Sequence, residues 1–290
     1  MPKRRPRQMD ARSHAERLVS TDGYFAPGSV IRQVGNTPVT PFLGGGTAVL
    51  LQVAHPLVAA GVAEHSAYEA DLWRRLLRTV GALYMITFGT KTEADRAGAV
   101  VQAVHARVKG TTATLLGAFP AGTPYSADDP DLMLWVHSTL VQSSLSTYQR
   151  FVRRLSAAEQ ESYYADMATL ARILGTPAEV IPPTLGEFHE YFAAALVGGE
   201  ITVTEPARAI ARMILRAPLP APVRLLAPAH RLATAAQLPT DIRRGYGLRW
   251  TPLHVPVLAA AAHSVRFGSW PILRVAAQLG PVVPALVSSP

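Results

Sequence analysis

The 290-residue chain carries nine histidines and no cysteine, so metal chemistry here must use imidazole or carboxylate rather than thiolate. Three of the histidines sit in apolar stripes at helical spacing. Val101, Val104, His105 and Val108 fall at i, i+3, i+4 and i+7. Met133, Leu134, His137, Leu140 and Val141 repeat the pattern, and so do Leu51, His55, Val58, Ala59 and Val62. An imidazole in such a stripe shares the core face of its helix. For one residue, a core histidine bonded to a carbonyl is the ordinary explanation; three on separate segments each need a partner of their own. No HExxH is present, and neither His105 nor His137 has a His or carboxylate four residues on. A zinc hydrolase or a carboxylate-bridged di-iron bundle is therefore poorly supported.

A lone imidazole in an apolar slot suits haem, because one nitrogen binds the iron axially while aliphatic side chains enclose the porphyrin. Its two propionates want arginine. Arg75 and Thr79 stand one turn apart with Arg78 beside them, among Leu76, Leu77, Val80 and Leu83, and Arg107 follows His105. Arg74 and Lys109 read as solvated cations. Glu64-His65 resembles an acid/base pair, but a helix C-terminal face is the better reading of these two residues by themselves. There is no GxGxxG after a strand, no Walker loop and no GxSxG elbow. Gly44-Gly45-Gly46 lacks the lysine of a phosphate loop and reads as a helix entry or a point of close packing.

The elements that must position these residues are helical. Ala, Leu and Arg dominate, and β-branched alternation is scarce. The pattern predicts a buried helix over 47–68 kinked at His55-Pro56, then one over 71–88 stopped by Gly89. A third opens with a Thr90/Glu93 capping box and runs to Gly110, and a long one covers 131–155. Ser156 and Glu159 open another that ends near Gly175. Further helices are predicted at 185–197, 205–216, 222–236, 254–267 and 270–279, with a short extended piece at 201–204. Pro-rich breaks at 177–183 and 218–222 read as bends inside one all-α domain.

Charge is unevenly spread. The formal charge is +8, from 25 Arg and 3 Lys against 20 acidic residues. Residues 1–18 carry six basic and two acidic groups, whereas 206–290 carry ten Arg against Asp241 alone. Such a basic tail suits an anionic partner: a lipid surface, the carboxylates of a cofactor, or a phosphate backbone. Nucleic acid is disfavoured, because no basic stretch interleaves with aromatics. Residues 33–63 contain no Asp, Glu, Lys or Arg, yet Gln52, His55 and Pro56 interrupt the run, so a buried helix fits better than a membrane span. The N-terminus is basic without the apolar run of a secretory signal, and the expected address is cytoplasmic, with peripheral membrane contact compatible.

The ordered motifs LLQVAHPLVAAGVAEHS, RRLLRT, HARVKG, YSADDPDLMLWVHSTL and LPTDIRRGYGLRW together resemble the MpaB / latex-clearing-protein (rubber oxygenase) catalytic-domain family, over about Val30 to Leu253. The resemblance implies an all-α fold with a globin-like core, haem b as cofactor, and dioxygen chemistry on apolar, isoprenoid-like substrates. It implies that His105 is the proximal iron ligand and that Arg75 and Thr79 are the family's paired Arg and Thr near the haem. Arg78 falls where rubber oxygenases place a distal lysine, so rubber specificity does not transfer. His55 and His137 are matched positions near the cofactor, Arg107 follows the ligand, and Arg243 is a propionate partner. Arg78, Thr79, Glu64 and His65 are the candidates for handling oxygen and protons. The expected organisation is a basic extension over 1–29, a catalytic domain over 30–253, and C-terminal apolar helices over 254–290 packed on it. A non-catalytic haem or lipophilic-ligand carrier of the same fold would share every one of these residues.

Overall fold

The computed structural model describes residues 16–17, 20–65, 69–216 and 227–267. The chain is all-α, as its composition and periodicity predict. In order come α1 (Val30–Gly35), a π-helical turn (Thr40–Gly44), α2 (Gly45–Val53), α3 (Pro56–Glu64), α4 (Glu69–Phe88) and α5 (Lys91–His105). A hairpin of β1 (Lys109–Thr111) and β2 (Pro124–Ser126) leads into α6 (Pro130–Phe151) and α7 (Ala157–Ile173). After a 3₁₀ turn at Ala178–Val180 follow α8 (Leu185–Val197), α9 (Glu205–Leu215), α10 (Ala227–Gln237), α11 (Thr240–Gly245) and α12 (His254–Phe267). The hairpin is antiparallel with Gly110 opposite Tyr125.

Capping sets several boundaries where the sequence places them. Thr90 and Glu93 form a reciprocal capping box at the start of α5, and Ser156 and Glu159 do so for α7. Asp129 caps α6, its carboxylate accepting from the backbone N–H groups of Asp131 and Leu132 at 2.9 and 3.2 Å.

Two predicted helices are shorter than their periodicity suggests. The 47–68 segment is two helices. His55 precedes a proline and is extended (φ −78°, ψ 119°), because the proline ring clashes with a helical residue before it. The chain turns by 103° between Thr40–Val53 and Pro56–Glu64. The helix expected to reach Gly110 ends at His105, since residues 109–111 pair with 124–126 and Ala127 N–H bonds the Val108 carbonyl. Val104 is exposed, outside the core stripe that its spacing predicts. Residues 201–204 form no strand. The expected helix at 270–279 and the break at 218–222 lie outside the described residues.

The charge-free segment is the centre of the molecule. Leu50, Leu51, Val53, Ala54 and Ala59 are all buried, and α2 lies along α6 with α10 and the π-helical turn on its flanks. Burying each of the leucines contributes about 1.5–3 kcal/mol. Among the described residues no single helix is long and apolar enough to cross a membrane; only the bent pair passes that test together. The core reaches back to Phe25. Arg32, also buried, donates to the carbonyls of Thr87 and Ser20 at 3.2 and 2.9 Å, tying the entry of the chain to the end of α4.

Close approach of helices explains the glycine triplet. A Cβ on Gly44 would lie 2.7 Å from Thr147 Oγ1 of α6. One on Gly46 would lie 2.7 Å from Thr234 Oγ1 and 2.8 Å from the His230 ring, both on α10. The His230 ring cannot retreat freely, because its Nδ1 bonds the Phe42 carbonyl at 2.8 Å. Gly45 has open space around it. Opposite outcomes are therefore expected in urea denaturation. Gly46→Ala should destabilise by about 1–3 kcal/mol through overpacking, while Gly45→Ala should stabilise by up to about 1 kcal/mol through helix propensity.

Candidate functional site

His105 is the last residue of α5, on the face that also buries Ala94 and Gly98. Its Nδ1 is sealed from solvent without a hydrogen-bond partner. A buried neutral imidazole ordinarily finds an acceptor for its N–H and a donor for its other nitrogen, so the open valence at Nδ1 is unusual. Burial first, then the Arg75 guanidinium, push the His105 pKa down, while Asp128 opposes them. The ring is therefore neutral near pH 7, the state in which imidazole ligates a metal. Arg75, from α4, and Asp128, from the turn after β2, are near enough for their charges to act on His105. Arg75 is half-buried, and desolvation lowers its own pKa.

Around this end of α5 the hairpin assembles a second pair. The Tyr125 hydroxyl donates to Glu64 Oε2 in a short hydrogen bond. Tyr125 is held there because the α3 and hairpin backbones come close: a Cβ on Gly61 would touch the Tyr125 ring at 3.4 Å, and one on Gly110 would collide with its hydroxyl. Burial and the Glu64 charge together raise the Tyr125 pKa, so the phenol keeps its proton. His65, the C-cap of α3, is exposed beside Glu64.

The other expected site residues divide. Arg78 and Thr79 lie on the exposed side of α4, and the Thr79 hydroxyl donates to the Arg75 carbonyl at 3.0 Å. Arg107 is exposed and donates to the Ala103 carbonyl at 3.0 Å. Arg243 is engaged elsewhere: its guanidinium lies 5.2 Å from the centre of the Trp250 ring and donates to the Ala235 carbonyl of α10 at 3.3 Å. His55 has a structural task, its Nδ1 accepting from Leu57 N–H at 3.3 Å as the N-cap of α3. That bond requires Nδ1 to be unprotonated and leaves the proton on Nε2. His137, two turns into α6, is buried with neither ring nitrogen partnered. Burial drives both His55 and His137 down to about 4.

Sequence reasoning passed over Tyr125, Asp128 and His230. The first two stand in the quoted YSADDPDLMLWVHSTL motif, but they gain meaning only when the hairpin brings them to Glu64 and His105. Among the described residues no three His, Asp or Glu side chains group as metal ligands.

The chain belongs to an oxygenase family. The family described as ER-bound oxygenase mpaB/B'/rubber oxygenase, catalytic domain, matches residues 31–267, from α1 through the end of α12. No curated protein and no solved structure matches the chain.

The depressed histidine pKa values carry a stability consequence. Groups held below their unfolded pKa leave the unfolded chain binding more protons, so stability is full above about pH 6.5 and falls as the pH drops toward 4. His55 and His137 should each contribute a loss of about 3 kcal/mol by pH 4. His137→Leu removes two unpartnered nitrogens. It should raise stability at pH 7 by about 1–3 kcal/mol and flatten the decline below pH 6.5, as read by urea midpoints across that range.

Proposed function

We propose that this chain is a haem b-dependent oxygenase acting on a small or medium apolar, isoprenoid-like substrate within a globin-like core. The observation that carries the reading is His105: a neutral imidazole with one sealed, unpartnered nitrogen, at the end of a helix and beside Arg75. The donor set fits haem, which asks the protein for a single axial nitrogen and for cations toward its propionates. His105 would hold the iron. Arg75 would face a propionate, with Arg107 at the rim; His55 and His137 would bear on the cofactor through the packing of α3 and α6. For Arg243 the same role requires it to leave Trp250 or to act with it.

Bound haem would supply the activation of dioxygen that no side chain of this chain offers. The residues supply the rest. Arg78 brings a fixed positive charge next to Arg75, where it favours developing negative charge. The Tyr125 phenol donates a hydrogen bond to the Glu64 carboxylate, and His65 stands exposed beside Glu64 as a further group able to pass a proton. Thr79, bonded back to the Arg75 carbonyl, orients the turn that carries both arginines.

The test is reconstitution with hemin, followed by the Soret band and a pyridine haemochrome assay. The parent protein should bind one haem and consume O2 only when an apolar substrate is added. A carrier would bind haem and show no substrate-dependent uptake. His105→Ala should lower haem retention about tenfold or more, and added imidazole should restore the Soret band. His55→Ala and His137→Leu should retain more haem than His105→Ala. A full complement with an unchanged Soret band in His105→Ala, alongside a bleached His137 or His55 variant, would show that a different histidine holds the iron.

A further inference from the structure

Helix α12 is apolar on both sides. Its inner face, with Leu258, Ala262 and Val265, packs on Val39, Leu43, Phe151 and Ala233. Arg266, its single charged residue, reaches back to the Gln149 carbonyl. A helix that closes a domain normally turns charged residues outward. The outer stripe here instead runs Leu253, Val257, Ala260, Ser264 and Phe267, at spacings of four and three. Leu253 is 78% exposed, Val257 57% and Phe267 74%. Apolar side chains this exposed, grouped on one face, mark an interaction surface rather than ordinary scatter.

Charge identifies the partner. No Asp or Glu occurs after Asp241, whereas Arg243, Arg244, Arg249, Arg266 and Arg274 do. Arg244 and Arg249 are exposed, Arg249 four residues before Leu253, while Arg243 and Arg266 turn to the Ala235 and Gln149 carbonyls. An apolar helical face next to cations, in a stretch without any acid, is the pattern of a helix lying in the interface of an anionic bilayer. A second copy of the chain is a poorer occupant, because a two-fold contact sets the same patch against itself and brings like charges together. Residues 268–290 likewise bring no carboxylate to the arginines.

We infer that the outer face of α12, from Leu253 to Phe267 with Arg249 at its edge, docks on an anionic lipid surface. The docking is peripheral: the apolar side chains enter the headgroup boundary while the inner face stays packed on α6 and α10. It stands independently of the cofactor assignment.

The experiment is co-sedimentation of the full chain with phosphatidylcholine vesicles, with and without phosphatidylglycerol. Binding is expected to the phosphatidylglycerol vesicles, weakening as salt is raised to about 0.5 M, and not to phosphatidylcholine alone. Arg249→Ala should weaken it about fivefold, and the double variant Leu253→Glu/Val257→Glu at least about tenfold. Both side chains are exposed, so circular dichroism and the thermal midpoint of the double variant should match the parent. The inference fails if the parent ignores anionic vesicles at low salt, or if the double variant binds them equally well. It also fails if analytical ultracentrifugation shows a parent dimer that the double variant dissociates, which would assign the face to a second copy.

Discussion

The seating of α2 between α6 and α10 is the contact from which the rest of the structure follows. The segment is charge-free, so it must be buried, and it can come this close to its neighbours because Gly44 and Gly46 carry no side chain toward Thr147, Thr234 and His230. Polar groups buried by that approach are answered locally. The Gln237 amide oxygen accepts from Ser146 and Thr147 at 2.7 and 2.8 Å, and its nitrogen donates to the Ala233 carbonyl at 3.1 Å. The Tyr246 hydroxyl donates to the Leu50 carbonyl at 2.6 Å, fastening the late RRGYGLRW segment onto the same helix.

What α2 anchors, His55-Pro56 redirects. The proline-enforced turn sends α3 toward the hairpin, and the end of α3 then delivers Glu64 to Tyr125 while the end of α5 delivers His105 to Arg75. Two helix ends and a hairpin thus meet at one corner of a scaffold whose rigidity comes from elsewhere. Such an arrangement separates the two demands on the chain: the tight core supplies stability, and the corner keeps polar groups that the core cannot tolerate.

Burial without partners is the recurring electrostatic theme. His105 and His137 hold buried ring nitrogens with no hydrogen bond, at a cost of about 1–3 kcal/mol for each unmet group, and desolvation keeps both rings neutral. A structural histidine would be spared that cost by a nearby backbone group, as His55 is by the Leu57 N–H and His230 by the Phe42 carbonyl. Membership of an oxygenase family gives these open valences a chemical context. The uncovered face of α12 sits apart from that corner and calls for a partner of a different kind.

The sequence by itself determined the helical class, the capping boxes at Thr90 and Ser156, the burial of the charge-free segment, and the motifs that carry the family resemblance. Those features are local: a cap acts over three residues, and a periodic stripe is read within one helix. The break at His55 is local too, because Pro56 forces it; tertiary structure alone decided that α5 stops at His105 and that Val104 is exposed. Each follows from groups distant in sequence, above all the pairing of 109–111 with 124–126, which captures backbone that periodicity would have left helical. The same pairing made partners of Glu64 and Tyr125, 61 residues apart, and gave Asp128 its place beside His105. Arg243 went the other way: a cation whose type suits a propionate is held by Trp250, because aromatic stacking in the folded chain competes for the same guanidinium.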